Sequence, residues 1–339
     1  MKEIPVQQAV GMVLGHDVTR IVPGAFKGAA FKKGHIIRSE DIPLFLDLGK
    51  QRIFVFELAA GQLHENEAAR RIAQAAAGGG LILSEPSEGK INLVAAQGGL
   101  LKINVAGLHQ INHIEEIVLA TLHSHQPVIA GQIVAGTRII PLVIDEQKIH
   151  AVEAVCRDNH PILEIRPFVP HQVGIVTTGS EVYHGRIEDK FGPVVQAKLI
   201  ELGSTILRQV LVSDDVAMTV GAIRDLIRDG ADMVAVTGGM SVDPDDQTPA
   251  SIRAAGARVI TYGAPVLPGA MFMLAYIGQV PVLGLPGCVM YYRASIFDLV
   301  VPRILAGETV TRADITAMGH GGLCAACEDC RFPQCAFGK

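Results

Sequence analysis

Three groups of residues in this chain have types and spacings that could do chemistry. The first is a pair of turns, Thr177-Thr178-Gly179-Ser180-Glu181 and Thr237-Gly238-Gly239-Met240-Ser241. Each follows a short apolar run, Val173-Gly174-Ile175-Val176 and Met233-Val234-Ala235-Val236. Runs of that length read as fully buried strands. Glycine lets the backbone approach a ligand, and hydroxyls and N–H groups donate to an anion. The second group is acidic: Asp214, and the run Asp243-Pro244-Asp245-Asp246. Carboxylates near a phosphate need a cation between them, so Asp214, Asp245 and Asp246 beside two anion-accepting turns point to Mg²⁺ and phosphoryl or pyrophosphate chemistry. N-capping of the following helices would account for Asp214 or Asp246 taken singly. The third group is Cys324-x2-Cys327-x2-Cys330-x4-Cys335. Four thiolates so spaced suit Zn²⁺ or an iron–sulfur cluster, and spacing leaves the two open.

The elements that must position these groups follow from periodicity. From residue 173 strand and helix patterns alternate: strands at 173–177, 205–212, 233–237, 257–262 and 280–285, helices at about 193–203, 216–229, from 248, and 289–305. Val216, Val220, Ile223 and Ile227 share one helical face. Thr248 reads as an N-cap with Pro249 at the first helical position. Such alternation predicts an α/β fold with a mostly parallel sheet covered on both faces. The turns 177–181 and 238–241, Asp214, the acidic run and Gly284-Leu285-Pro286-Gly287 then share one sheet edge, where open α/β sheets bind ligands.

Before that region the pattern is β-rich and less regular. Val10–Leu14 and Arg52–Phe56 read as strands, 63–77 as a helix ended by Gly78-Gly79-Gly80, and 114–122 as a helix. Phe26-Lys27-Gly28 and Phe31–His35 read as exposed basic turns, with Lys27, Lys32 and Lys33 on a solvated face. His109, His113, His123 and His125 read as loop or surface histidines. Pro161, Pro167 and Pro170 mark a connector. The expected segments are a β-rich 1–60, a mixed α+β 61–168, an α/β domain at 170–306 and the Cys-rich tail at 318–339.

Composition excludes several classes. Of 339 residues, 49% are hydrophobic and 19% charged, with a net charge of −5. Nothing there favours a nucleic acid or other polyanion. Trp is absent and aromatics are 5%, so base-stacking platforms are not expected. No apolar stretch is long enough for a membrane span, and the N-terminus lacks the apolar core of a signal peptide. A clustered Cys set without a secretory signal reads as a metal site in a reducing compartment, hence cytoplasmic.

Taken together and in order, Thr177–Glu181, Thr237–Ser241, Asp245-Asp246-x-Thr248-Pro249, Pro268-Gly269 and Gly284-Leu285-Pro286-Gly287 resemble the molybdopterin-binding domain of molybdenum-cofactor biosynthesis. The opening, Ala9–Leu14, Val22-Pro23-Gly24 and Lys33–Ile37, is similar to the start of molybdopterin molybdotransferases. The resemblance implies a three-layer α/β/α domain, with molybdopterin or its adenylylated form on the glycine turns, Mg²⁺, molybdate as substrate, and a homo-oligomer that serves a molybdoenzyme. It implies catalytic roles for Asp246 and Asp214. It implies cofactor contacts from Thr177, Thr178, Gly179, Ser180, Glu181, Gly238, Gly239, Ser241, Asp245, Thr248, Pro268, Gly269, Pro286 and Gly287. Ser180 stands where molybdotransferases usually carry Asp, and Ala270 where they carry the lysine that meets molybdate. Cys288 replaces an Asn, and the Cys tail stands in place of a C-terminal β-barrel. The Asp-Asp-x-Thr-Pro run is closer to the adenylyltransferase and competence-damage-inducible branches. The implied function is therefore molybdate transfer to molybdopterin, with a non-catalytic cofactor carrier and a molybdopterin adenylyltransferase as alternatives.

Overall fold

The computed structural model describes every residue except 1, 23–25, 57 and 88, and at 21, 22, 26 and 27 only the backbone. Part of the Val22-Pro23-Gly24 resemblance therefore lies outside the described residues. The chain divides into two compact units. One gathers residues up to 97 with 101–122 and 129–165; the other gathers 98–100, 123–128 and 166–339.

In the first unit Lys2–Pro5, Arg52–Phe56 and Val13–Leu14 form a small antiparallel sheet. Its core includes Phe31 stacked on Phe45, ring centres 4.1 Å apart. Phe26-Lys27-Gly28 is not a turn: Phe26–Phe31 pairs with Val18–Val22 as a hairpin. A four-stranded antiparallel sheet carries Ile117–Thr121, Ile133–Ile139, Ile91–Ala95 and Leu81–Leu83. The helix expected at 114–122 is thus a strand, and the helix lies earlier, at Val105–Asn112. Asn104 decides this locally, because its side chain accepts from Gly107 N at 3.0 Å and opens the helix. His109 is on that helix and His113 caps its end. The helix Glu65–Ala76 fulfils the 63–77 expectation, with Ala68, Ile72 and Ala76 buried. Its Arg71 bonds Glu146 at 2.6 Å and Glu153 at 2.8 Å, both on the helix Glu146–Asn159.

The second unit holds the α/β sheet. Its strands are β1 (Gln172–Thr178), β2 (Thr205–Val212), β3 (Met233–Thr237), β4 (Arg258–Tyr262), β5 (Met273–Ile277) and β6 (Val280–Leu285), in the order β2-β1-β3-β6-β5-β4. The helices are α1 (Ser180–Tyr183), α2 (Phe191–Glu201), α3 (Val216–Arg228), α4 (Thr248–Ala254), α5 (Cys288–Tyr291), α6 (Ile296–Leu305) and α7 (Arg312–Ala317). β2, β1, β3 and β6 are parallel, while β5 pairs antiparallel with both β6 and β4. Sequence reasoning missed β5, which pairs with β6 across the two-residue turn Gly278-Gln279. Gly278 takes φ +60°, the left-handed geometry such hairpins need.

Alternation along the strands makes the layers. Val173, Ile175, Met233, Ala235, Leu283 and Leu285 pack with α2 and α6 on one face. Val176, Val234, Val236 and Val282 pack with α3 and α4 on the other. Gly174 lets α3 close in, since a Cβ there would meet Leu226 at 2.9 Å. The single helix expected at 289–305 is two, α5 and α6. Ser295 breaks it by starting a capping box: Ser295 Oγ accepts from Phe297 N at 3.3 Å, and Asp298 Oδ2 accepts from Ser295 N at 2.8 Å.

Candidate functional site

Register places the turns. Thr177 lies opposite Thr237, Thr237 opposite Leu285, and Thr178 opposite Val212. Four parallel strands therefore end at one edge. On that edge a cavity of about 830 Å³ opens beyond β3 and β6. Its walls are Gly238, Gly239, Met240, Ser241 and Asp246 after β3, residues 286–288 after β6, the loop 267–271, and Phe191, Tyr291 and Tyr292. Leu323, Cys324 and Ala326 of the C-terminal tail complete it.

Of the residues expected to meet the cofactor, Gly238, Gly239, Ser241, Asp246, Pro268, Gly269, Pro286 and Gly287 line this cavity. Thr177, Thr178, Gly179, Ser180, Glu181, Asp214, Asp245 and Thr248 do not. The threonines are buried and spend their hydroxyls on the turns. Thr248 Oγ1 donates to Gly238 O at 2.9 Å, and Thr178 Oγ1 donates to Thr237 O at 3.3 Å. Thr237 Oγ1 donates to Thr177 Oγ1 at 3.0 Å, which also accepts from Gln209 Nε2 at 2.9 Å. This lattice ties the first turn behind the second. Thr248 is therefore not the α4 cap; Gln247 holds that position.

Glycine is required where these elements meet. Gly238 has φ +86°, and a Cβ there would overlap the Thr178 carbonyl oxygen. Gly239 has φ +56°, with Thr248 Oγ1 2.9 Å from where its Cβ would be. Gly287, by contrast, borders open space, with no atom within 4 Å of a Cβ.

The two aspartates part company. Asp214 Oδ2 accepts from Ser180 N at 2.7 Å, while Ser180 Oγ and Ser213 Oγ lie 2.8 Å apart. Asp214 thus fixes the first turn; the cap of α3 is Asp215, accepting from Met218 N at 2.7 Å. Asp246 is on the cavity wall, its Oδ2 accepting from Asp243 N at 3.1 Å. Mg²⁺ is usually held by one or two carboxylates together with substrate phosphates. One carboxylate beside glycine turns fits that donor set. Cys288 is also on the wall, and burial raises its thiol pKa, which keeps it neutral near pH ~7.

The tail is docked rather than loose. Leu267 N donates to Gly322 O and Cys324 N to Leu267 O, each at 2.8 Å, and Phe337 is buried in the core beside Leu299. Cys324, Cys327, Cys330 and Cys335 line a second cavity of about 410 Å³. Among the described residues no three His, Cys, Asp or Glu side chains gather closely enough to hold a single ion. Sequence reasoning missed Phe191, Tyr291, Tyr292, Met271 and Leu323 as wall residues. The adjacent Tyr291-Tyr292 after a Gly-Cys turn was the available signal.

The sheet with helices on both faces and the edge cavity define an α/β/α domain open at one sheet edge. Residues 174–306 match a family described as "Probable molybdopterin binding domain", and residues 3–57 match a family described as a domain of unknown function, DUF8806. The molybdopterin-binding match is thus confined to residues 174–306 of the 339. A CinA-like protein of Mycobacterium sp. (strain MCS) is 35% identical over 81 residues, 24% of this chain and 19% of that protein. A CinA-like protein of Mycobacterium tuberculosis is 34% identical over 80 residues, again 24% and 19%. The match thus spans about a fifth of these relatives' length. Among solved structures, the tungsten cofactor synthesizing protein MoaB from Pyrococcus furiosus is 22% identical, covering 41% of this chain and 96% of that one with a TM-score of 0.34. The molybdopterin biosynthesis enzyme MoaB from Thermus thermophilus is 19% identical, covering 41% and 98% with a TM-score of 0.33. No described helix is long and apolar enough to cross a membrane.

Proposed function

We propose that the protein binds a phosphorylated pterin, molybdopterin or its adenylylated form, and acts in molybdenum-cofactor assembly as a Mg²⁺-dependent molybdate transferase. The observation that carries this reading is the gathering of Gly238-Gly239, Pro268-Gly269 and Pro286-Gly287 around one cavity of about 830 Å³ with Asp246 on its wall. That volume suits a small-molecule cofactor. The glycine turns let backbone groups approach a phosphate, and Ser241 adds a hydroxyl. Asp246 would hold Mg²⁺, which neutralises charge at the phosphoanhydride when bound. Asp214 is a positioning residue that keeps the first turn in register with the second. Thr177, Thr178 and Thr248 act the same way through their hydroxyl lattice. The segments 1–60, 61–168, 170–306 and 318–339 are the proposed working parts. A cytoplasmic homo-oligomer serving a molybdoenzyme is the proposed setting.

A carrier that binds cofactor without turnover is the second reading. It is favoured by Ala270 and Met271 on the cavity wall, where a molybdate-binding lysine is expected from the resemblance. One assay separates the readings. Given adenylylated molybdopterin, Mg²⁺ and molybdate, the transferase releases AMP, and Asp246→Asn keeps pterin binding while release falls to background. AMP release by that variant at the parent rate would remove Asp246 from the chemistry. Tight pterin binding without AMP release assigns the carrier role, and ATP consumption with molybdopterin alone assigns adenylyl transfer. Failure to bind pterin at all ends all three.

A further inference from the structure

We infer that Cys324, Cys327, Cys330 and Cys335 hold a [4Fe–4S] cluster in the second cavity, against the wall of the first. This stands apart from the pterin reading and can fail without it. The four cysteines line one space of about 410 Å³. A lone zinc ion binds four sulfurs at about 2.3 Å each, drawing them to a point and leaving no space between them. Here the described thiols are not gathered that way. A cluster fills the room between its ligands with its own iron and sulfide, so four spread thiols around a cavity are the arrangement it uses.

The surroundings fit the same occupant. Tyr291, Tyr292, Phe332 and Phe337 supply aromatic walls, the apolar shell that controls solvent access and potential at metal sites. Four thiolates give the cluster net negative charge, and Arg293 and Arg331 on the wall oppose it, against one carboxylate, Glu328. The loop is also framed without metal. Cys324 N bonds Leu267 O at 2.8 Å at one end, Phe337 is buried at the other, and Lys339 Nζ bonds Pro333 O at 2.6 Å. Between these anchors Cys327 and Cys330 stay exposed, so the thiols can be loaded after the domain has folded. Tyr291, Tyr292, Leu323, Cys324 and Ala326 line both cavities, so the cluster's first ligand is part of the pterin cavity wall.

The test uses the full chain purified anaerobically and reconstituted with ferric iron, sulfide and a thiol reductant, so that the iron supplies the oxidising equivalents of the reducible cluster. The expected result is about four irons and about four sulfides per chain, with a broad visible absorption that bleaches on reduction. Cys330→Ser and Cys327→Ser should lose most of the iron and the absorption. The cluster-free variants should unfold at the temperature of the cluster-free parent, because both side chains are exposed. One zinc per chain without sulfide, no bound iron, or unchanged iron in both variants would overturn the inference.

Discussion

Gly238→Ala and Gly287→Ala together test how the edge cavity is built. At Gly238 the backbone sits at φ +86°, and an added Cβ overlaps the Thr178 carbonyl oxygen and comes within 2.8 Å of Thr178 Oγ1. A non-glycine residue in that region costs about 1–3 kcal/mol. The overlap adds about 1–3 kcal/mol of the kind seen when a packed site is overfilled. Rotating the turn to escape gives up the Thr248 Oγ1 bond to Gly238 O at 2.9 Å, worth about 1 kcal/mol. The expected loss is thus about 3–7 kcal/mol, a large part of a typical domain's stability. Gly287 has neither positive φ nor a neighbour within 4 Å of the new Cβ, so its Ala variant should keep the parent's stability. It lines the cavity, however, so the added methyl would intrude on the pterin proposed to bind there. Urea unfolding and pterin titration of both variants read the two effects separately. Parent-like unfolding of Gly238→Ala would refute the packing argument. Parent-like pterin affinity in Gly287→Ala would refute the placement of the ligand.

Three more outcomes follow from groups away from the cavity. Arg303 Nε donates to Glu308 at 2.7 Å and its Nη2 to Asp314 at 2.7 Å, with Arg303 and Glu308 both 8% exposed. Arg303→Met should cost about 3–5 kcal/mol in urea unfolding, because it removes the guanidinium paired with a buried carboxylate; a loss below about 1 kcal/mol would contradict this. His64 is buried with Nε2 2.6 Å from Gly34 O, and burial holds its pKa below the ordinary 6.5. The unfolded chain then binds the extra proton more readily, so stability present above pH 6.5 is lost as pH falls toward the folded pKa. Unfolding free energies at pH ~8 and ~5.5 should differ more in the parent than in His64→Gln, and equal differences would count against it. Burial, with Glu153 nearby, pushes Cys156 up to about 11. Iodoacetamide at neutral pH should therefore label exposed Cys327 and Cys330 of metal-free protein well before Cys156, as read by mass spectrometry.

The α/β domain was legible because its signals are local. Val173–Val176 and Met233–Val236 are continuous apolar strands, and the apolar face of α3 is visible in one dimension. β5 was not, because Met273–Ile277 has the same apolar character whether strand or core helix, and only its pairing with β6 decides. The same ambiguity turned 117–121 from expected helix to strand. At the site, Gly238, Gly239, Gly269 and Gly287 line the cavity, while Gly179 of the first turn does not. Side-chain direction did not. A threonine at a strand end can face a ligand or a neighbouring turn, and Thr177, Thr178 and Thr248 face each other's turns. Asp214 was expected beside Asp246 from strand order, but the Ser180 N–H it satisfies is 34 residues away in sequence. The tail's docking onto Leu267 depends on an equally remote pairing.

Direct titration of the metal-free full chain with molybdopterin and with adenylylated molybdopterin, in the parent and in Gly287→Ala, bears most closely on the central claim. Saturable binding of about one pterin per chain, weakened in the variant, is the predicted result. No saturable binding, or binding that the cavity substitution leaves unchanged, would contradict it.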